Sequence, residues 1–215
     1  MVKLREIIRS HHRIEKFIHR TPVLKSKSLN KITGTELYFK CENFQKTGAF
    51  KIRGATNAVA QLNDQELGKG IVTASSGNHG AALSMAVSRR GANVTVVMPN
   101  NSSQMKVENV KRNGGRIIWC KPLQKSREEV LSAFVEETGA VVIHPYNDER
   151  IIAGQGTAAM ELIEDQPNIE VIITPLSGGG LLSGTLCAAK NMKPDIRVYG
   201  AEPEEADDAY RSLKA

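Results

Sequence analysis

Short apolar runs rich in β-branched residues recur along the chain, each followed by a stretch of helical period. The runs "ELYFKCE" (36–42), "GIVTAS" (70–75), "NVTVVMP" (93–99), "RIIWCKP" (116–122), "AVVIHP" (140–145), "EVIITPL" (170–176) and "DIRVYGAEP" (195–203) read as strands. Between them, helices are predicted over residues 79–91, about 103–113, 126–139, 151–165 and 180–192. Gly91 and Gly139 stand where helices should stop, and Ser126 with Glu129 has the spacing of a capping box. At the N-terminus, "MVKLREIIRSHHRIEKFIHR" has the Leu/Ile spacing of an amphipathic helix. Strand–helix alternation of this kind predicts an α/β protein with a mainly parallel sheet flanked by helices.

Composition narrows the class. The 215 residues are 40% hydrophobic and 24% charged, with a formal net charge of +6. The basic residues are scattered among acids rather than gathered in a patch, so no nucleic-acid partner is expected. No apolar run approaches the ~20 residues that cross a bilayer, and the N-terminus carries no signal-peptide core, so no membrane partner is expected. Cys41, Cys120 and Cys187 are far apart and lack metal spacing, which fits reduced thiols in a cytoplasmic protein.

Candidate chemistry sits in a few short stretches. In "ENFQKTGAFKIRGA" (42–55), Lys51 lies between Phe50 and Ile52. Burial disfavours a charged lysine, lowers its pKa and leaves a nucleophilic amine suited to forming an imine with an aldehyde. "SSGNHG" (75–80) follows a strand, where α/β proteins bind ligands. Its plain reading is a strand-to-helix turn capped by Ser or Asn. "SGGGLLSG" (177–184) places three consecutive glycines at the start of a helix, which suits a phosphate. "AGQGT" (153–157) reads as a further ligand loop or, preferably, as close helix packing. A nucleotide reading of Gly178-x-Gly180-x-x-Ser183 with Glu202 stays open, but it leaves Lys51 and "SSGNHG" without a role. One cofactor with an aldehyde and a phosphate, pyridoxal phosphate, accounts for all three elements.

These motifs, with "HRTPVL" (19–24), "IAGQGT" (152–157) and "GAEPEEADDAY" (200–210), resemble the serine/threonine dehydratases and serine racemases of the fold-type II pyridoxal-phosphate family. The resemblance covers essentially the whole chain. It implies a two-domain fold like that of the tryptophan synthase β subunit, with a small domain over 64–148 and a large one over 1–63 and 149–215. It implies Lys51 as the covalent attachment point and base, and Phe50 against the pyridine ring. Asn78 would bond the ring's phenolic oxygen. Gly178, Gly179, Gly180 and Leu181 would hold the phosphate. Ser75, Ser76 and His79 would lie near the substrate carboxylate, with Ser76 as the proton carrier opposite Lys51. Glu202, the carbonyl of Ala206 and Asp208 match a site for Mg or Ca; without the resemblance, "EPEEADDAY" reads as a solvated acidic turn.

The implied activity is β-elimination of serine, threonine or a related hydroxy-amino acid to a keto acid and ammonia, with serine racemisation as the alternative. A non-catalytic chain that only binds a partner subunit, or a nucleotide-binding domain, are the readings of another class. The family opens its phosphate loop with four glycines, where this chain has Ser177 first. Family members also continue beyond "ADDAYRSLKA", so a C-terminal part with much of the interface of a homo-oligomer is expected to be missing.

Overall fold

The computed structural model describes residues 2–214. The N-terminal helix α1 (Leu4–Ile14) turns Ile7, Ser10 and Ile14 inward. A short antiparallel pair follows, β1 (Val23–Lys25) and β2 (Tyr38–Lys40), with α2 (Lys27–Thr33) between them. The strand expected over 36–42 is therefore shorter, and its partner is the "PVL" segment rather than a parallel strand. Cys41 N–H donates to Pro22 O, continuing the pairing just past β2. After two 3-10 turns, α3 (Lys51–Val59) and α4 (Asp64–Gly68) lead to β3 (Ile71–Ala74).

The second sheet has four parallel strands in the order β5-β4-β3-β6, with β4 (Val94–Pro99), β5 (Arg116–Cys120) and β6 (Val141–Val142). Its helices are α5 (Asn78–Ser88), α6 (Gln104–Arg112) and α7 (Gln124–Thr138). All six residues of β4 are buried, as expected of a continuous apolar run in a parallel sheet. Gly139 ends α7 in the left-handed conformation, φ 68°, as its position predicts. The capping box does not form. The helix starts at Gln124, and Ser126 Oγ accepts from Lys121 N, tying down the chain before the helix instead of its first turn.

The chain then forms α8 (Glu149–Asp165), β7 (Val171–Pro175), α9 (Gly180–Met192), β8 (Arg197–Ala201) and α10 (Asp208–Lys214). β7 and β8 pair in parallel as a separate two-stranded sheet. Close helix packing is the role of the "AGQGT" glycines. A Cβ on Gly154 would lie 2.5 Å from Gly54 Cα, and one on Gly184 would lie 2.6 Å from Gly156 N. The backbones of α3, α8 and α9 therefore meet directly, which only glycine permits.

One buried charge group locks these helices to the first sheet. Arg53, 0% exposed, donates to Glu42 through Nε and Nη2, both at 2.8 Å. It also donates to Glu161, 1% exposed, through Nη1 at 2.7 Å and Nη2 at 2.9 Å. Lys40 Nζ reaches Glu161 at 2.7 Å, and Thr21 donates to Glu42 at 2.6 Å. Burial opposes ionisation of Glu161, but hydrogen bonds from Arg53 and Lys40 hold its carboxyl below the usual range. Glu161→Ala would leave two buried cations short of a counter-charge. It should cost about 3–5 kcal/mol in a denaturant titration. A loss below about 1 kcal/mol would show that the network does not hold the fold.

Candidate functional site

The site is built at the carboxyl ends of β3, β6 and β7, where parallel strands present ligands. Lys51 is the first residue of α3, and its Nζ donates to Pro145 O at 2.8 Å. Nζ also sits 5.4 Å from the Phe50 ring centroid. Among the described residues, no carboxylate faces the amine closely enough to offset burial, so desolvation pulls its pKa down to about 8.

β6 is short for a reason that belongs to the site. The strand was expected to run to Pro145, but its ladder stops at Val142. Beyond it, the carbonyl of Ile143 turns to His79 Nε2, 3.4 Å away, and that of Pro145 turns to Lys51. His144 Nδ1 accepts from Tyr146 N and Asn147 N, so neutral His144 carries its proton on Nε2. Burial lowers the pKa of His144, with the Lys51 charge adding to it. Burial also drives fully enclosed His79 down to about 3, again with help from Lys51. Both imidazoles are thus neutral near pH 7. His144, Pro145 and Tyr146 were missed as site residues. Their position at the end of an expected parallel strand is the signal that marks them.

The loop 75–80 combines both of its readings. Ser75 is buried, and its Oγ accepts from Gly77 N and Gly80 N, which caps α5. Those two bonds occupy its lone pairs and shape the loop, and its O–H is left to donate. Ser76 and Asn78 are exposed on the same loop, while His79 points into the core. The side chain of Lys106, from α6, lies along Gly77 and brings a cation to the loop; it was also missed.

The glycine loop caps α9 with Gly179 in the left-handed conformation, φ 83°, and no side chain satisfies the first amides of the helix. Gly178 is required by a neighbour, since a Cβ there would lie 2.2 Å from the Tyr146 ring. Phe50 and Leu181 line a cavity of about 330 Å³ beside the loop. At the far end of the chain, Glu202 accepts from Ala209 N at 3.2 Å and Tyr210 N at 3.0 Å, at the start of α10. Ala206 ends a 3-10 turn and Asp208 opens α10. Among the described residues, no group of three or more His, Cys, Asp or Glu is gathered as a metal site. Among the same residues, no helix is long and apolar enough to cross a membrane.

Fold and site together define an α/β protein equipped to hold a phosphate on helix amides and a carbonyl on a lysine. A family model described as pyridoxal-phosphate dependent enzyme matches residues 14–215. The serine racemase of Arabidopsis thaliana is 54% identical over 206 residues, 96% of this chain and 62% of the relative. The beta-hydroxyaspartate dehydratase of Paracoccus denitrificans (strain Pd 1222) is 50% identical over 210 residues, 98% of this chain and 67% of the relative. The structure of maize serine racemase superposes with a TM-score of 0.97 at 49% identity, over 99% of this chain and 65% of that one. The chain belongs to the family of pyridoxal-phosphate dependent enzymes. It spans 62% to 67% of the length of these two curated relatives.

The residues present fit that cofactor. The amine is half-buried with a lowered pKa, and the α9 amides have no side-chain cap. An amine so placed also has a cost. Between pH 8 and 10.5 the unfolded chain binds more protons than the folded one, so the Lys51 contribution makes stability rise with pH across that window. Lys51→Met should therefore stabilise the cofactor-free chain at pH 7 by about 1–3 kcal/mol and flatten that rise. Thermal melts at pH 7 and pH 10 check both; a destabilised variant would mean that the amine is not held against its charge.

Proposed function

We propose that the chain carries the lysine, phosphate and substrate loops of an enzyme acting on a small hydroxy-amino acid, with serine racemisation first and β-elimination as its companion. The sequence motifs alone put elimination first. The named relatives, two serine racemases and one dehydratase, support racemisation better. The observation that carries the proposal is the Lys51 amine, close to its neutral form and shared between no carboxylates. In this reading the substrate and cofactor lie between residues 64–148 and the rest of the chain, and the four-stranded sheet falls wholly within 71–142.

When bound, pyridoxal phosphate supplies a conjugated ring that takes up negative charge from the α-carbon. Lys51 Nζ would be the group that holds the cofactor's carbonyl carbon and would serve as base for the α-proton; a pKa of about 8 suits both roles near pH 7–8. Phe50 would pack against the ring and Asn78 would orient its phenolic oxygen. The amides of Gly178, Gly179, Gly180 and Leu181 would hold the phosphate. Ser76 and the loop amides at the start of α5, ordered by Ser75 and backed by His79, receive the substrate carboxylate. Ser76 Oγ moves a proton on the face away from Lys51, which racemisation needs and elimination does not.

Borohydride reduction of the cofactor-loaded protein should fix the label on the Lys51 peptide, with loading that rises as pH passes about 8. Label on another lysine would overturn the proposal. In protein that turns over L-serine, Ser76→Ala should lower D-serine formation at least ~10² -fold while lowering keto-acid formation far less. Equal loss of both would remove Ser76 from the proton path.

The proposal includes a divalent cation at Glu202, Asp208 and the Ala206 carbonyl. Oxygen donors suit Mg or Ca, and Glu202 would have to exchange its two amide bonds for the ion. Mg or Ca should then raise the melting temperature of the wild type and not that of the Glu202→Ala, Asp208→Ala double variant. No rise in the wild type would leave Glu202 as a helix cap only.

A further inference from the structure

The segment after β6 touches both halves of the site. Pro145 gives its carbonyl to Lys51 Nζ at 2.8 Å. The next residue, Tyr146, lies against the glycine loop. A Cβ on Gly178 would come within 2.2 Å of Tyr146 Cδ1 and 2.4 Å of its Cγ, so the ring covers the face of Gly178 where a side chain would stand. A Cβ on Gly180 would meet the Cα, Cβ and carbonyl oxygen of Tyr146, each at 3.1 Å. Ring and backbone of one residue thus rest on the first and third glycines of the loop.

Its own bonds make the segment move as one piece. His144 Nδ1 accepts from Tyr146 N at 3.3 Å and from Asn147 N at 2.9 Å. The rings of His144 and Tyr146 meet edge to face, with centroids 4.5 Å apart. Just beyond, Asp148 caps α8 by accepting from Arg150 N at 2.8 Å. The Tyr146 ring therefore cannot shift without moving the Pro145 carbonyl. A neutral Lys51 amine that donates to this carbonyl keeps its lone pair, so the bond aims the nucleophile without consuming it.

The loop is the looser partner. No side chain caps α9, and Gly179 stands at φ 83°. Glycines lose more backbone freedom than other residues when they are fixed. An anion on the loop amides would fix them. The ordering would reach Tyr146, because its ring and backbone already lie on Gly178 and Gly180.

We infer that Tyr146 is a positioning residue that couples the glycine loop to the Lys51 amine. An anion at the loop fixes the segment 144–147 and the Pro145 carbonyl with it, and so holds Lys51 Nζ where it meets an aldehyde. The inference rests on the roles proposed above for Lys51 and the glycine loop. The coupling runs both ways, because a ligand that has already ordered the segment lowers the ordering cost that the other meets.

The test splits the cofactor into two separate probes, pyridoxal and inorganic phosphate. Pyridoxal lacks the phosphate but keeps the aldehyde. The Lys51 nitrogen bonds its aldehyde carbon, the oxygen leaves as water, and borohydride fixes the label. With phosphate present, half-labelling of Lys51 in the wild type should need at least about fivefold less pyridoxal. Tyr146→Phe keeps the ring and should keep the effect, whereas Tyr146→Ala should bring the factor to about one. A second measurement needs no variant to fold. Amide hydrogen exchange at Tyr146 and Asn147 in the wild type should slow at least about threefold when phosphate is added. An equal phosphate effect in the wild type and Tyr146→Ala would overturn the inference, as would unchanged exchange at these two amides. Pyridoxal phosphate itself is the control. If it labels Lys51 while inorganic phosphate leaves pyridoxal labelling unchanged or weaker, the coupling falls and the proposed roles stand. If it leaves Lys51 unlabelled, both fall.

Discussion

The buried Arg53 guanidinium is the constraint around which the chain is arranged. An unpaired charge in that position would cost several kcal/mol, so its two carboxylates must be present and correctly placed. Glu42 comes from the turn after β2 and Glu161 from the middle of α8. Arg53 itself belongs to α3. Satisfying one side chain therefore fixes three distant segments relative to one another. The glycines at 54, 154, 156 and 184 allow the helices to come close enough for it. Lys40 and Thr21 use the remaining lone pairs of the two carboxylates, so that the group is closed.

Two residues earlier on the same helix, the same fold treats a second cation in the opposite way. Lys51 is given a single backbone carbonyl and an aromatic ring, and no carboxylate. The guanidinium is held charged by its partners, whereas the amine is pushed toward neutrality by burial. The contrast is one of environment, not of residue type alone, and it separates a cation that holds structure from one available for chemistry. The rigid Arg53 anchor explains how the unstable arrangement at Lys51 persists, because α3 cannot shift to let the amine reach water.

What was legible in the sequence follows the strength of the local signal. β3 and β4 are short runs rich in β-branched residues, and α7 ends at Gly139 in a left-handed turn, so their places were readable. Lys51 and the glycine loop stood out because a lysine between two large apolar residues and three glycines in a row are both unusual, and the structure half-buries the amine and packs Gly178 on Tyr146 at the start of α9. The β1–β2 pairing was not, since three-residue strands owe their existence to partners rather than to pattern. The capping box at Ser126 failed for a similar reason, the serine being taken up by Lys121 N. The 143–147 segment was hidden because its role lies in carbonyls, and any residue sequence supplies those.

The chemistry and the open sheet are independent of each other, and the structure shows why. Everything that depresses the Lys51 pKa is supplied within this chain: α3 beneath it, the end of β6 beside it and α5 behind His79. The amine therefore needs nothing at the free edge of β7 to be reactive. The phosphate loop is different, because it is strung between β7 and α9. β7 is held by one neighbouring strand and by helices on one face only. A two-stranded sheet of this size is marginal by itself and leans on the helices it packs against. The footing of the glycine loop, unlike that of the lysine, is thus the pairing of β7 with β8 and its packing on the helices. The Lys51 amine and the glycine loop therefore have separate supports in this fold, α3 with its Arg53 group for the first and β7 for the second.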